Sequence, residues 1–296
     1  MPRSLTFGAI EGGGTKFVCG IGTSPDDLET TIFPTTTPDE TLGQCLAFFR
    51  ENSRQIDALG IGCFGPVDLN RNSPTFGSIT TTPKPAWAGT NVVAFFQDAL
   101  GIPIGFDTDV NGAALGEGRW GAASGLDAFV YFTIGTGIGA GVIIDGKPVH
   151  GLVHPEVGHL RIPRDTAEKN FPGTCPFHGD CLEGVAAGPA IAARWECDPA
   201  TLQPDHEAWR LEANYLAAAV MNVVLTVSPK RVILGGGVME QTQLFPLVRE
   251  SLRDQLNGYI AQPQFEDGLD NFIVPPGLGA RAGILGALVL AKNAID

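Results

Sequence analysis

The chain has 296 residues, 44% of them hydrophobic, and a formal net charge of −13 at pH 7. That length is enough for two domains with separate cores. The acidic balance argues against nucleic acid as a partner, because phosphate backbones attract basic faces. A nucleotide ligand stays open, since backbone N–H groups can hold polyphosphate and Mg²⁺ can neutralise it. No signal-peptide run precedes residue 11, and nothing approaches the ~20 apolar residues of a membrane span, so a cytoplasmic protein without membrane contact is expected. Cys19, Cys45, Cys63 and Cys197 are scattered among apolar neighbours, as reduced, buried thiols are in an intracellular protein.

In chain order, residues 4–10 and 16–22 read as two strands joined by Glu11 to Thr15, and 28–34 can form a third. A helix is predicted over 39–53, with acids at its start. Residues 58–64 read as a buried strand, followed by a Pro/Thr-rich loop over 65–90, a helix near 91–100, a strand at 102–106 and a helix at 110–118. Two strands at 127–134 and 140–144 flank a second glycine loop. Residues 150–183 look irregular. Helices are predicted at 185–196 and 206–227, a short strand at 232–234, a helix near 243–256, a strand near 271–274 and a closing helix at 280–293. A strand pair followed by a helix thus begins at residue 4 and again at residue 127. The pattern predicts two related α/β lobes, 1–118 and 119–296, with a cleft between them. The last helix, about 280–293, is free to pack back on the first lobe.

Three glycine loops punctuate these elements. E-G-G-G-T-K (11–16) lies between strands, where it can gather N–H groups on an anion or serve only as a tight turn. It is not a Walker A loop, which requires G-x-x-x-x-G-K-[ST] before a helix. I-G-T-G-I-G-A-G (134–141) formally matches the dinucleotide fingerprint but runs into a strand where that motif needs a helix. G-L-G-A-R-A (277–282) follows Pro275-Pro276, which disfavours a preceding central strand. Nicotinamide dinucleotides are rejected on these contexts. Two hairpin loops facing each other, with G-G-G-V-M (235–239) after a strand, form a pattern suited to clamping a polyphosphate and packing on an adenosine.

Asp109 falls where a strand ends and a helix begins, at the strand end where ligands gather in α/β proteins. It could accept a proton from an attacking hydroxyl, or it could simply cap the helix. Asp107 reads as structural. Further on, H-P-E-V-G-H (154–159) precedes C-P-F-H-G-D-C-L-E (175–183). Cys175, His178, Cys181 and His159 make a Cys2His2 set suited to tetrahedral Zn²⁺ in a closed, structural site. His150 and His154 are alternative fourth ligands. Pro176 and Gly179 argue for a loop, and Glu156 and Glu183 flank it.

Together these segments, with F-G-P-V-D (64–68) and F-D-T-D-V-N-G-A-A-L-G-E (106–117), resemble the ROK family (repressors, open reading frames and sugar kinases), specifically its fructokinase branch. The resemblance spans nearly the whole chain. It implies an α/β, two-lobed, actin-like ATPase (ribonuclease H-like) fold with a zinc-braced loop, ATP with Mg²⁺, and a hexose in the cleft. Asp109 resembles the catalytic base. Asn111, Gly65, Pro66, Val67, Glu156 and Glu183 resemble sugar-site elements, and His159 a metal ligand. Gly12, Gly13, Gly14, Thr15, Lys16, Thr133, Gly135, Thr136, Gly137, Pro189, Gly235, Gly236, Gly237, Val238 and Met239 resemble the ATP contacts. The family's first loop usually opens with Asp, where this chain has Glu11. Its usual metal motif is C-x-C-G-x-x-G-C; the His178 version resembles the fructokinase branch and favours fructose over mannose, glucose or N-acetylated sugars. A homodimer is also implied. A ROK repressor would carry a helix-turn-helix ahead of the first loop, and a binding protein without activity would not need Asp109 and three glycine loops.

Overall fold

In the computed structural model, which describes residues 5–165, 168, 170–266 and 269–295, the first hairpin pairs β1 (Phe7–Gly12) with β2 (Lys16–Gly22). Ser4, where the first strand was predicted to start, lies outside the described residues. β3 (Glu29–Pro34) pairs with β2 at one edge, and β4 (Ala58–Cys63) and β5 (Ile104–Thr108) run parallel beyond β1. The sheet order is β3-β2-β1-β4-β5. Every residue of β4 is buried, as expected of an interior parallel strand covered on both faces.

α1 (Pro38–Glu51) opens with a proline and two acids, Asp39 and Glu40, which suit a helix N-terminus. α2 (Val92–Leu100) is capped by the Asn91 side chain and closed by Gly101 in the left-handed conformation. These helices help bury Phe17, Phe49, Trp87 and Phe96 on one face of the sheet. α3 (Asp109–Trp120) follows β5 directly.

The second sheet repeats the plan. β6 (Phe129–Ile134) and β7 (Ile138–Ile144) form an antiparallel hairpin; β9 (Val232–Gly235) and β10 (Ile273–Val274) add in parallel; β8 (Lys147–Pro148) lies at the edge. The order is β10-β9-β6-β7-β8. Helices α4 (Leu182–Ala186), α5 (Gly188–Trp195), α6 (Glu207–Val227), α7 (Leu244–Leu256), α8 (Pro263–Glu266) and α9 (Ala282–Asn293) complete the chain. The single helix predicted over 185–196 is broken at Ala187, because Pro189 lacks the N–H that would continue α4 and instead opens α5.

The residues divide into two compact units. One holds those up to Gly125, Gly146–His154 and those from Gly277; the other holds Leu126–Asp145 and Pro155–Pro276. No helix among the described residues is long and apolar enough to cross a membrane.

In the first unit, α9 lies on the sheet through glycines. A Cβ on Gly60 would stand 1.8 Å from the Ala287 carbonyl oxygen, and one on Gly105 would stand 2.1 Å from that of Leu290. A Cβ on Gly286 would stand 1.6 Å from the Gly112 carbonyl oxygen, so α3 and α9 cross nearly backbone to backbone. This contact fixes where α3 begins. Gly286→Ala should cost about 3 kcal/mol through overpacking, read as a lower urea midpoint at unchanged m-value. An unchanged midpoint would show that the crossing has slack.

Candidate active site

The turn from β5 into α3 places the acidic segment. Thr108 caps α3, its Oγ1 accepting the Asn111 N–H at 3.1 Å. The capping role open to Asp109 is thus filled by its neighbour. Asp109 accepts only a local N–H, from Val110 at 2.9 Å. Burial raises its pKa from 3.8 to about 6, against the pull of that bond and its own N–H. Glu11, at the end of β1, is raised from 4.5 to about 7, first by burial and then by the charge of Asp109; Lys16 and the Ile284 N–H act the other way. Gly283 makes this possible, since a Cβ there would lie 2.3 Å from the Glu11 carboxyl carbon. The start of α9 therefore receives the Glu11 carboxylate, as a helix N-terminus receives an anion.

Asp107 is buried and satisfies three donors. Its Oδ1 accepts the Asn111 amide at 2.6 Å and the Thr108 N–H at 2.8 Å, and its Oδ2 lies 3.0 Å from His150 Nε2. That hydrogen bond raises the His150 pKa. Asn111 is left with a buried Oδ1 that has no hydrogen-bond partner, an acceptor suited to a ligand hydroxyl. Val67 donates its N–H to His154 Nε2 at 3.1 Å, and the Pro66 carbonyl, after a cis Gly65–Pro66 bond, accepts the Thr80 N–H at 2.8 Å. His150 and His154 are thus committed to Asp107 and to the Gly65–Val67 loop. Gly13 donates to the Lys16 carbonyl at 2.9 Å, closing the first hairpin turn, and Gly14, Thr15 and Lys16 are exposed.

In the second unit three backbone segments converge. The Gly135 N–H bonds the Gly137 carbonyl at 2.9 Å within the β6–β7 turn, and the Gly188 N–H, opening α5 before exposed Pro189, bonds the Gly135 carbonyl at 2.8 Å. Gly236 has φ 90°, and a Cβ there would meet the Ile134 backbone at 2.4 Å. A Cβ on Gly135 would be 3.9 Å from the Gly237 nitrogen, and Gly237 faces open space. Val238 and Met239 are buried, and Thr133 ends β6 half-buried beside Thr136, which is exposed. Glycine-lined backbone of this kind lets a polyphosphate approach N–H groups closely.

The metal set comes together in the same unit. Nitrogen and sulfur atoms of His159, Cys175, His178 and Cys181 all lie within 4.8 Å of one another. His159 Nδ1 is 3.3 Å from His178 Nδ1, 3.4 Å from Cys181 Sγ and 3.7 Å from Cys175 Sγ, and Cys175 Sγ is 3.8 Å from His178 Nδ1. Zn–N and Zn–S bonds of about 2.0 and 2.3 Å in a tetrahedron give edges of about 3.3–3.8 Å, the range of these four distances, so the four residues fit zinc. Reciprocal backbone bonds between Cys175 and Gly179, which has φ 65°, make the turn that returns the chain to Cys181. Glu156 is exposed, and its carbonyl accepts the His159 N–H at 3.0 Å. Glu183 Oε2 accepts the Ile138 N–H at 3.0 Å, a bond that no sequence spacing signals. Asp107 did carry a signal, its place at the end of β5 beside Asp109.

The model of the ROK family matches residues 7–294. The chain belongs to the ROK family. This ROK protein is 45% identical to the fructokinase of Zymomonas mobilis, over 97% of each chain. It is 42% identical to the fructokinase of Pediococcus pentosaceus, over 98% of this chain and 99% of that one. Among solved structures, the ROK hexokinase of Thermus thermophilus superposes with a TM-score of 0.77 at 26% identity, covering 98% of this chain and 99% of that one. The fold is the actin-like ATPase fold of that family.

Proposed function

We propose that this ROK protein transfers the γ-phosphoryl group of ATP to the 6-hydroxyl of D-fructose, giving fructose 6-phosphate and ADP. The observation that carries the reaction class is Asp109, a desolvated carboxylate at the end of β5 whose capping duty has passed to Thr108. Near-full-length identity to fructokinases supports the sugar.

Asp109 accepts the proton of the attacking hydroxyl. Asn111, oriented by Asp107, offers its Oδ1 to a sugar hydroxyl, and the loop of Gly65, Pro66 and Val67, with Glu156 and Glu183, completes the sugar contacts. The first hairpin (Gly12 to Lys16), Thr133, the turn Gly135–Thr136–Gly137, Pro189 and Gly235 to Met239 hold the nucleotide. Glu11, a buried carboxylate beside the Asp109 charge with Lys16 as counter-charge, is a hard oxygen donor that fits Mg²⁺ and leaves Asp109 free to act as the base. When bound, Mg²⁺ neutralises charge on the transferring phosphoryl group. Zinc on His159, Cys175, His178 and Cys181 has four protein ligands and serves structure alone. We also infer a homodimer, to be measured by light scattering, and a cytoplasmic location.

Coupled ADP release across a hexose panel tests the reading. Fructose should give the highest kcat/KM. A larger value with mannose or glucose would overturn the sugar, and no ADP with any hexose would overturn the kinase. The pH profile has a definite sign. Below about 6 Asp109 holds its proton and cannot accept another, so kcat/KM should fall as pH drops through 7 to 6, where Glu11 and Asp109 titrate as a pair. A profile flat between pH 5 and 8 would exclude Asp109 as the base.

A further inference from the structure

The zinc loop and the helix after it touch the β6–β7 turn at three places, two of them within two residues of a metal ligand. Gly158, next to His159, lies under the Ile138 carbonyl, where a Cβ would be only 1.8 Å away. Glu183, two residues past Cys181, holds the Ile138 N–H through Oε2, and a Cβ on Gly137 would sit 2.7 Å from that same oxygen. Gly188, after α4, holds the Gly135 carbonyl. The two sides of the loop are joined by the Leu182 N–H on the Leu160 carbonyl at 2.9 Å. The residue that ends the glycine turn is therefore bonded at its N–H by Glu183 and packed at its C=O against Gly158, each within two residues of a metal ligand.

We propose that Glu183 is a positioning residue through which the zinc knot sets the β6–β7 turn, so that a structural metal governs nucleotide affinity. The proposal rests on the reading of that turn as a phosphate seat. The bond is charge-assisted, which makes it stronger than a neutral amide pair. Gln can still accept the Ile138 N–H, whereas Ala leaves it without a partner.

The test uses the full-length zinc-loaded protein, without sugar. Mg–ADP affinity is measured by calorimetry, and amide hydrogen exchange is followed in peptides covering 134–140. Glu183→Ala should weaken Mg–ADP about tenfold or more, in line with losing a hydrogen bond to a charged group, and should speed exchange in 134–140. Glu183→Gln should recover most of both. Stripping zinc from the wild type with a chelator should speed exchange in the same peptides. Wild-type exchange in Glu183→Ala, with only fructose binding altered, would overturn the proposal and leave Glu183 as a sugar ligand. A different failure marks the functional reading: if Mg–ADP protects none of 134–140 in the wild type, the turn is not the nucleotide's seat.

Discussion

Asp109→Asn should lower kcat by about three orders of magnitude while fructose affinity stays within about twofold of wild type. General-base catalysis by a placed carboxylate contributes about 10²–10⁴-fold. The remaining acceleration comes from positioning and from donors to the phosphoryl group, which the substitution leaves in place. Asn is nearly isosteric and can still take the Val110 N–H that Asp109 takes now, so α3 should begin at the same residue. The protein should not lose stability. Burial raises the pKa of Asp109, and burial and then the Asp109 charge raise that of Glu11, so ionising the two near neutral pH works against folding. Asn removes one of the two charges, and the Asn variant should melt at or above the wild-type temperature. The Glu11 step of the pH profile should move down at the same time, since one of the causes that raises it is gone. Loss of activity with a lowered Tm would mean that Asp109 is structural. Wild-type kcat would mean that the base is another group, with Glu11 the next to test.

The parts of this site that could be read from sequence are those set by local chemistry. A glycine turn between two alternating strands announces a hairpin, and both hairpins stand where they were expected. Asp109 was visible because a strand pattern gives way to a helix pattern at that residue. The zinc ligands were visible because soft and borderline donors at short spacing have few other uses. Contacts that depend on packing were not visible. The Val67–His154 bond joins residues 87 apart and the Ile138–Glu183 bond residues 45 apart, and nothing in either segment alone specifies the other. Gly60 and Gly105 look like ordinary glycines until α9 is laid across them, and Gly286, on α9 itself, until α3 crosses it. Glu212 is a further case. It sits on α6 in what reads as a polar helical position, yet it is wholly buried, and burial raises its pKa far above the usual carboxylate range despite Arg194 nearby. The α4–α5 break could have been read, because Gly188-Pro189 is a helix start by the same rule that sets Pro38 at the start of α1.

Removing the metal should have the largest effect on stability. Cys181→Ser, or dialysis against a chelator, should lower the melting temperature by about 10 °C or more and take the zinc content from about one per chain to none. Loss of a structural metal is among the few changes that exceed about 4–5 kcal/mol, and for a chain of this size each kcal/mol is about 2–4 °C. Among the described residues the stretch 155–183 carries only short turns before α4 begins, among them Val157–His159 and the Cys175–Gly179 turn. Its polar ties are the Arg161–Asp180 pair, of a kind worth at most about 1 kcal/mol, and a half-buried set in which Arg164 meets Asp180 and Glu168 while Glu168 meets Arg194 and Tyr215; that set anchors the middle of the stretch and leaves the Cys/His end to the metal. The four ligand atoms already lie within 4.8 Å of one another, and both cysteines must give up their protons to bind the metal. Acid should release the metal for the same reason, as protons compete for thiolates and imidazoles. Cys181 is fully buried and Cys175 nearly so, which makes Ser at 181 the more damaging change. Cys197→Ser, outside the metal set, controls for loss of a thiol and should leave both zinc content and melting temperature unchanged. If a metal-free preparation keeps the melting temperature and hexose kinetics of the loaded protein, zinc is not what shapes this loop, and the brace assigned to Glu183 would have to come from packing alone.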